Sequence, residues 1–455
     1  MAERDRVAVI GAGIAGLAAA LELAAAGREV VLVEAAAGPG GKMRAIPSAA
    51  GEIDAGPTVF TQRPVFEALF EAAGTSLDAE LAVTRAELLA RNVWPDGSVL
   101  DLFDDPARSE AAVEAFAGPA EAAAFRDFTA RCRRLYEALE GPVMAAEAPT
   151  PLSVALATIG DSRRLMVDAA PLADLWTALG RQFADPRLRQ LFARFSTYVG
   201  GSPMLSPALL MLIWWSEAAG VWTIEGGMRA LARKVAALAE AKGAELRYGA
   251  PVAEILVEGG RTAGVRLATG EEIRAGTVLF AGDPAALADG RLGPAVRRAG
   301  PAMPRRRRSY SAWVWTWAAE PEGAPLSHHT VFFSPDYPAE FEALDRRRRP
   351  PEDPTLYICA QDRPARADAP APEGPERLLM ILNAPADGDR GPPDPEEIER
   401  CTTTSFARLA ASGLRLSPPD LSRRPEALTT PDRFEALFPA PPGRRYRRRR
   451  AATRR

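Results

Sequence analysis

The residues whose spacing most clearly implies chemistry stand at the start of the chain. Gly11-Ala12-Gly13-Ile14-Ala15-Gly16 follows directly on RVAVI (6–10) and opens an Ala/Leu-rich segment, 17–26, that stops at Gly27. A second apolar run, EVVLVE (29–34), ends in Glu34, 18 residues after Gly16. Strand, glycine loop, helix, strand and terminal acid in this order form a dinucleotide cradle. Gly11 makes the tight turn, Gly13 lets the backbone approach a pyrophosphate, and Gly16 lets the helix lie close on the strand. The helix start offers free N–H groups and a positive dipole end to the phosphates. Glu34 is expected to accept from both ribose hydroxyls and to repel a 2′-phosphate, which argues against NADP.

The next residues separate classes of dinucleotide. A nicotinamide fold would continue into another helix and strand. Here Gly40-Gly41-Lys42-Met43-Arg44 comes at once, and Asp54-Ala-Gly-Pro-Thr58 follows. This resembles the FAD-binding start of the flavoprotein group that includes amine oxidases and carotenoid desaturases. The resemblance implies that Gly40 and Gly41 close over the pyrophosphate, with Lys42 or Arg44 supplying positive charge. It also implies that Pro57 and Thr58 stand beside the flavin and that the backbone at Val252 meets the adenine.

These motifs need elements to hold them. The spacing predicts a helix over 63–73 (apolar at 65, 66, 69 and 70), a hairpin-like pair around 88–102, and two helices over 106–139. Residues 151–200 read as helical. A helix from Pro207 is apolar nearly all round, which means either burial or a wall for a long apolar substrate. After an amphipathic helix over 228–242, strands follow at 245–248, 252–258, 261–267, 271–274 and 277–280, with Gly259-Gly260 and Thr269-Gly270 as turns. A second sheet is predicted from 309–318, 330–334, 356–360 and 378–384. Its alternation puts Trp313, Trp315 and Trp317 on one face, as core or as substrate wall. The fold class is α/β: a Rossmann-like FAD-binding domain of the two-dinucleotide-fold kind (1–75 and 220–295) with an α+β substrate domain (76–219 and 296–440).

The later blocks are more specific. GVWTIEGGM (220–228), HHTVFFSPDY (328–337) and DAPAPEG (368–374) resemble the bacterial phytoene-desaturase-type FAD enzymes of carotenoid synthesis, although Ala369 stands where that loop has its first proline. Within that family, GGKMRAIPS and DAGPTVFTQRPVFEALF look most like the 1-hydroxycarotenoid 3,4-desaturases of purple photosynthetic bacteria. The resemblance implies a C-3,4 double bond placed next to a hydroxylated end group, a long apolar carotenoid substrate, FAD as cofactor and contact with a membrane lipid surface. A related FAD oxidase, a carotenoid isomerase or a non-catalytic form on the same scaffold are the alternatives. Turning CH–CH into C=C removes a hydride and a proton. Flavin takes the hydride, so the protein needs to supply position and a base. Glu217 and His329 are the candidate polar groups at the reacting end, with Arg44 a further possible partner of the flavin. The sequence leaves oxygen, a quinone or a respiratory-chain component open as electron acceptor.

Composition narrows the remaining classes. The chain has 455 residues, 47% apolar and 25% charged, which fits a folded protein of two or three cores. Its longest apolar run, Ala208 to Trp215, is eight residues, far short of the roughly 20 of a membrane span. The charged start fits no secretory signal. Two histidines and three scattered cysteines (Cys132, Cys359, Cys401) suggest neither a metal site nor a disulfide framework. A cytoplasmic protein, peripheral to the inner photosynthetic membrane, is expected. Residues 444–455 hold eight arginines, and removing their charge from the net −3 leaves −11, so the body is acidic and no nucleic-acid binder. That Arg-rich tail, 441–455, lacks apolar periodicity and is expected to be disordered. The family pattern there continues into a glycine-rich turn, strand and helix that close on the flavin. A shifted reading frame beyond about codon 440 is the favoured explanation, with a basic tail as the alternative.

Overall fold

The computed structural model describes residues 5–146, 173–304, 308–324, 326–368 and 370–438. The expectations for 151–172 and for the Arg-rich tail lie outside these residues.

The first buried runs form a four-stranded parallel sheet in the order Thr277–Phe280, Val7–Ile10, Val30–Val33, Glu245–Arg247. Val7–Ile10 and Val30–Val33 are buried at every position, as parallel strands covered on both faces must be. Val7, Val9, Val30 and Leu32 face the helices Ile14–Ala25 and Gly227–Ala241 through Leu17, Leu21, Leu231 and Val235. Ala8, Ile10, Val31 and Val33 face the other way, onto Ile255, Val265, Leu267 and Ile273 of a three-stranded antiparallel sheet. In that sheet Val252–Glu258 turns into Arg261–Leu267 at Gly259-Gly260, where φ is +57° and +79°, the conformation a two-residue hairpin requires.

The second large sheet has seven strands in the order Leu428–Thr429, Ser311–Ala319, Glu376–Ala384, Leu356–Ala360, His329–Phe332, Leu88–Val93, Val99–Phe103. The hairpin at 88–103 joins it through a parallel pairing with His329–Phe332. The tryptophan stripe is core: Trp313, Trp315 and Trp317 pair in register with Leu382, Met380 and Leu378 and are at most 5% exposed. That removes the substrate-wall reading of these three residues.

Helices Pro106–Ala117, Pro119–Leu139, Leu175–Gln182 and Pro186–Ala193 pack around Phe125, Phe128, Phe183, Phe192, Phe195 and Trp214. Asp105, Asp174 and Asp185 cap three of them, each side chain accepting from a backbone N–H of the first turn. The expected helix from Pro207 departs from its pattern. It is a tight 3-10 turn, Ala208–Leu212, running into a short α-helix, Ile213–Ala218. Its buried positions, Ala208, Met211 and Trp214, recur every third residue, which suits the three-residue turn. Leu209, Leu210, Leu212, Ile213 and Trp215 are only half-buried, so the segment is not covered all round.

Candidate functional site

The glycine loop is built as its spacing requires. A Cβ on Gly16 would stand 1.9 Å from the Gly11 carbonyl oxygen, so helix and loop touch only because that residue is glycine. A Cβ on Gly13 would meet nothing within 4 Å. The backbone there has an open side at the helix start, which fits an incoming pyrophosphate. Ile14 and Ala15 form the first turn of that helix. Gly40 lies beside Gly13 in an isolated parallel bridge, its N–H donating to the Ala12 carbonyl at 2.8 Å, and a Cβ on Gly41 would reach within 3.0 Å of the Gly13 Cα. The two glycine loops therefore pack against each other, with Lys42 exposed beside them.

Glu34 ends its strand with the carboxylate turned back over the loop. Oε2 accepts from Ala12 N–H at 2.6 Å and Oε1 from Ala36 N–H at 2.8 Å. The Glu34 carbonyl accepts from Ala250 N–H and the Ala36 carbonyl from Gly249 N–H, which brings the chain leading into Val252 to the cradle. Arg44, the other expected source of positive charge, donates from its guanidinium to Thr429 Oγ1 at 2.6 Å and lies 5.8 Å from the Phe434 ring centre. A guanidinium anchored on those two residues stiffens the contact with the 428–437 segment.

Asp54-Ala-Gly-Pro-Thr58 links the cradle to the seven-stranded sheet. Asp54 Oδ2 accepts from Met228 N–H at 2.5 Å, capping the Gly227–Ala241 helix, and Gln361 grips both backbone polar groups of Asp54 at 2.9 Å. Past Pro57, Thr58 Oγ1 shares a 2.7 Å hydrogen bond with the Tyr357 hydroxyl, which shares another of 2.7 Å with His329 Nδ1. His329 is 3% exposed, and its Nε2 has no hydrogen-bond partner. Burial, reinforced by the neighbouring His328 and by the charge of Arg194, holds His329 well below the ordinary imidazole range, so its ring is neutral.

Glu217 lies in a second buried polar group. Arg194 Nη1 donates to the Tyr198 hydroxyl at 2.9 Å, and that hydroxyl donates to Glu217 Oε1 at 2.5 Å. Arg194 and Glu217 are 8% and 6% exposed, among Phe195, Trp214 and Tyr337. Burial raises the Glu217 carboxyl against the opposing pull of Arg194 and Tyr198. Burial alone would lower Arg194, but the negative charge available at Tyr198 and Glu217 outweighs it and the guanidinium stays charged. Arg194 Nε is buried with no partner. Arg194 acts electrostatically on His329, and Tyr198 on Tyr357, so the two polar groups influence each other's charge. The sequence reading reached Glu217 and His329 but missed Arg194, Tyr198 and Tyr357. The four-residue spacing of Arg194 and Tyr198 was an available signal, whereas Tyr357 is brought to His329 only by strand pairing.

Pairing also places His328, His329 and Cys359 with ligand-type atoms within 4.8 Å of one another, a cluster that widely spaced cysteines did not suggest. His328 Nδ1 donates to the Arg363 carbonyl at 2.7 Å, which leaves Nε2 to accept from Cys359 Sγ at 3.8 Å. Burial pushes the Cys359 thiol up to about 12. His328 and Cys359 are thus hydrogen-bonded to each other, while His329 bonds to Tyr357 instead. Arg363 in turn is locked by two 2.6 Å bonds to Glu376 and donates to the Leu326 carbonyl at 2.7 Å.

Comparison with known proteins places this geometry. The model of the family described as flavin containing amine oxidoreductase matches residues 14–409. The hydroxyneurosporene desaturase of Rubrivivax gelatinosus is 48% identical over 446 residues, covering 97% of this chain and 83% of that protein. The protein of the same name from Cereibacter sphaeroides is 47% identical over 441 residues, covering 97% and 87%. Among solved structures, a CLA-producing fatty acid isomerase from P. acnes superposes with a TM-score of 0.55 at 15% identity, covering 92% of this chain and 85% of that one. Putrescine oxidase bound to putrescine superposes at 0.53 with 17% identity, covering 90% and 81%. At such identities the structural likeness speaks for the fold alone.

Proposed function

This chain belongs to the flavin-containing amine oxidoreductases, and from that premise we propose that it desaturates carotenoids carrying a 1-hydroxyl end group, placing the new double bond at C-3,4. It is an FAD-dependent oxidoreductase acting on CH–CH bonds. The observation that carries the reading is the hydrogen-bonded line Thr58–Tyr357–His329, which runs from the loop beside the nucleotide cradle to a buried polar centre set in apolar and aromatic side chains. The hydroxylated carotenoid rests on the name and identity of the relatives above, and the 1- and C-3,4 positions on the resemblance carried by GGKMRAIPS and DAGPTVFTQRPVFEALF.

Bound FAD supplies the hydride acceptor. The chain binds it through the Gly11–Gly16 loop, Gly40-Gly41 and the Glu34 carboxylate. Phe195, Trp214 and Tyr337 keep water from the reacting end. The positive charge that develops as hydride leaves is spread along the polyene, so little further stabilisation is asked of the protein. Glu217 accepts the proton, through the hydroxyl of Tyr198 that already donates to it. Its raised pKa makes it a stronger base than an exposed carboxylate.

The substrate partitions into lipid, so the enzyme works at a membrane surface, on the cytoplasmic side of the inner membrane. No helix among the described residues is long and apolar enough to cross a membrane. The contact we propose is the segment 203–215, where Leu205 is 48% exposed and six apolar side chains are half-buried. The test is expression in a host that accumulates 1-hydroxyneurosporene. The expected product has one more conjugated double bond and a red-shifted absorption, and the purified chain releases FAD on heating. Unchanged carotenoid with no bound flavin refutes the proposal.

A further inference from the structure

Gln62 breaks two local rules at once. Its φ of 58° and ψ of 35° are left-handed, and among the described residues other than glycine only Arg348 shares a positive φ. It is also the N-cap of the helix Arg63–Ala72, yet its side chain accepts from none of that helix's N–H groups. Serine, threonine, aspartate or asparagine would serve the cap better, and glycine would take the backbone without strain. A local preference broken with no local gain points to a task set elsewhere in the fold.

The side chain shows where. The Gln62 amide oxygen accepts from the Tyr136 hydroxyl at 2.8 Å, and Nε2 donates to Ser216 Oγ at 2.8 Å. Tyr136 belongs to Pro119–Leu139, and Ser216 to Ile213–Ala218, the helix that carries Glu217. The backbone of Gln62 closes the loop that begins at Asp54, and that loop lies on the nucleotide cradle: a Cβ on Gly56 would run into the Lys42 carbonyl oxygen. Phe60 is 1% exposed, and its carbonyl accepts from Trp222 N–H at 2.9 Å, which fixes the loop just before Gln62. Four residues earlier Thr58 bonds to Tyr357 and through it to His329. One short stretch of chain therefore reaches both buried polar groups, the His329 line by Thr58 and the Glu217 helix by Gln62.

We propose that Gln62 is a positioning residue: it sets the helix bearing Glu217 against the nucleotide cradle, so that hydride and proton leave neighbouring carbons of one bond. The inference rests on the desaturase reading above, with Glu217 as base. Desaturation needs its two acceptors in fixed relation, and here they belong to different parts of the fold. The hydride goes to FAD in the cradle, and the proton goes to a helix of the aromatic cluster. A primary amide accepts from one side and donates to the other at once, which joins Tyr136 and Ser216 through a single side chain. Glycine would take the backbone and lose the clamp. Asparagine is one carbon shorter.

The experiment measures kcat and KM of the FAD-loaded enzyme for 1-hydroxyneurosporene in lipid micelles, with urea unfolding of each apoprotein alongside. Gln62→Gly and Gln62→Ala both remove the clamp, but only alanine resists the left-handed backbone. The urea midpoint is expected to be lower for alanine than for glycine. The rate follows the side chain instead: kcat falls by the same factor in both, about a hundredfold, the loss that a displacement of about 1 Å brings. KM stays within about threefold, because the clamp does not touch substrate. Gln62→Glu keeps the length and accepts from both hydroxyls, and is expected to hold kcat within about tenfold of wild type. Ser216→Ala reaches the clamp from its other end; it lowers kcat, and added to Gln62→Gly it costs nothing further. Should Gln62→Ala fail to fold, the glycine variant and this pair decide alone. A kcat that tracks the urea midpoint, with alanine slower than glycine, overturns the inference. So does a wild-type kcat in Gln62→Gly while Glu217→Gln is slow. A full rate in Glu217→Gln removes the base, and a wild-type enzyme that turns over no 1-hydroxyneurosporene removes the desaturase reading; either takes the inference with it.

Discussion

Replacing Glu34 by alanine separates cofactor affinity from stability. In the folded chain the carboxylate accepts from Ala12 N–H at 2.6 Å and Ala36 N–H at 2.8 Å. Ala36 is exposed, so water replaces the carboxylate there, whereas Ala12 is buried and its N–H is left unmatched; the fold loses on the order of 1–3 kcal/mol. Binding loses more. The proposed ribose contact adds two hydrogen bonds to the carboxylate, and hydrogen bonds to a charged group contribute about 1.5–3 kcal/mol each. Losing the pair costs on the order of 3 kcal/mol or more, which is a rise in the FAD dissociation constant of at least about a hundredfold. Flavin fluorescence quenching, titrated on apoprotein of wild type and Glu34→Ala, reads this directly, with urea unfolding of the apoproteins as the control. A dissociation constant within threefold of wild type, with the apoprotein fold intact, would show that the carboxylate does not hold the ribose.

Glu376→Ala leaves Arg363 charged and unpaired where its side chain is 8% exposed; a loss of about 3–5 kcal/mol should appear as a large drop in the urea midpoint. Burial holds the Glu340 carboxyl up at about 7 from its ordinary 4.5. The folded chain thus keeps a proton the unfolded chain releases, and stability falls as pH rises between these values by about 3 kcal/mol, the 2.5-unit gap at 1.36 kcal/mol each. Glu340→Gln should flatten that slope in denaturation measured across the window, and an unchanged slope would show that another group titrates. Flotation of the enzyme with phospholipid vesicles should survive molar salt and weaken in a Leu205→Glu, Leu209→Glu variant; binding abolished by salt alone would point to electrostatic attraction instead.

The nucleotide half was legible because its instructions are local. From Arg6 to Glu34 each residue's role depends on neighbours within one strand–helix–strand unit, and the structure realises them with Gly16 against Gly11 and Glu34 over Ala12. The polar centre was only half legible. Glu217 and His329 stand out as polar residues beside apolar runs. Tyr357 lies 28 residues from His329 and 299 from Thr58, and nothing in its own stretch marks it. The partners of Arg44 were not legible either, since Thr429 and Phe434 come from the other end of the chain. The tryptophan stripe was correctly periodic, but only the register with Leu378, Met380 and Leu382 decides that it packs inward.

The parallel sheet of the cradle has a consequence for how the protein is made. Val7 pairs with Val30 on one side and with Thr277 on the other, so the central strand waits for a partner 270 positions later in the chain. At about 5–20 residues per second, that partner leaves the ribosome roughly 14–54 s after Val7. For that interval an apolar strand with an unfilled edge is presented to the cell, beside a helix that cannot yet be covered by Gly227–Ala241. Nascent chains halted before residue 277 should therefore be held by chaperones and remain open to protease, and protection of the amino-terminal segment should appear only once the 277–280 strand has emerged.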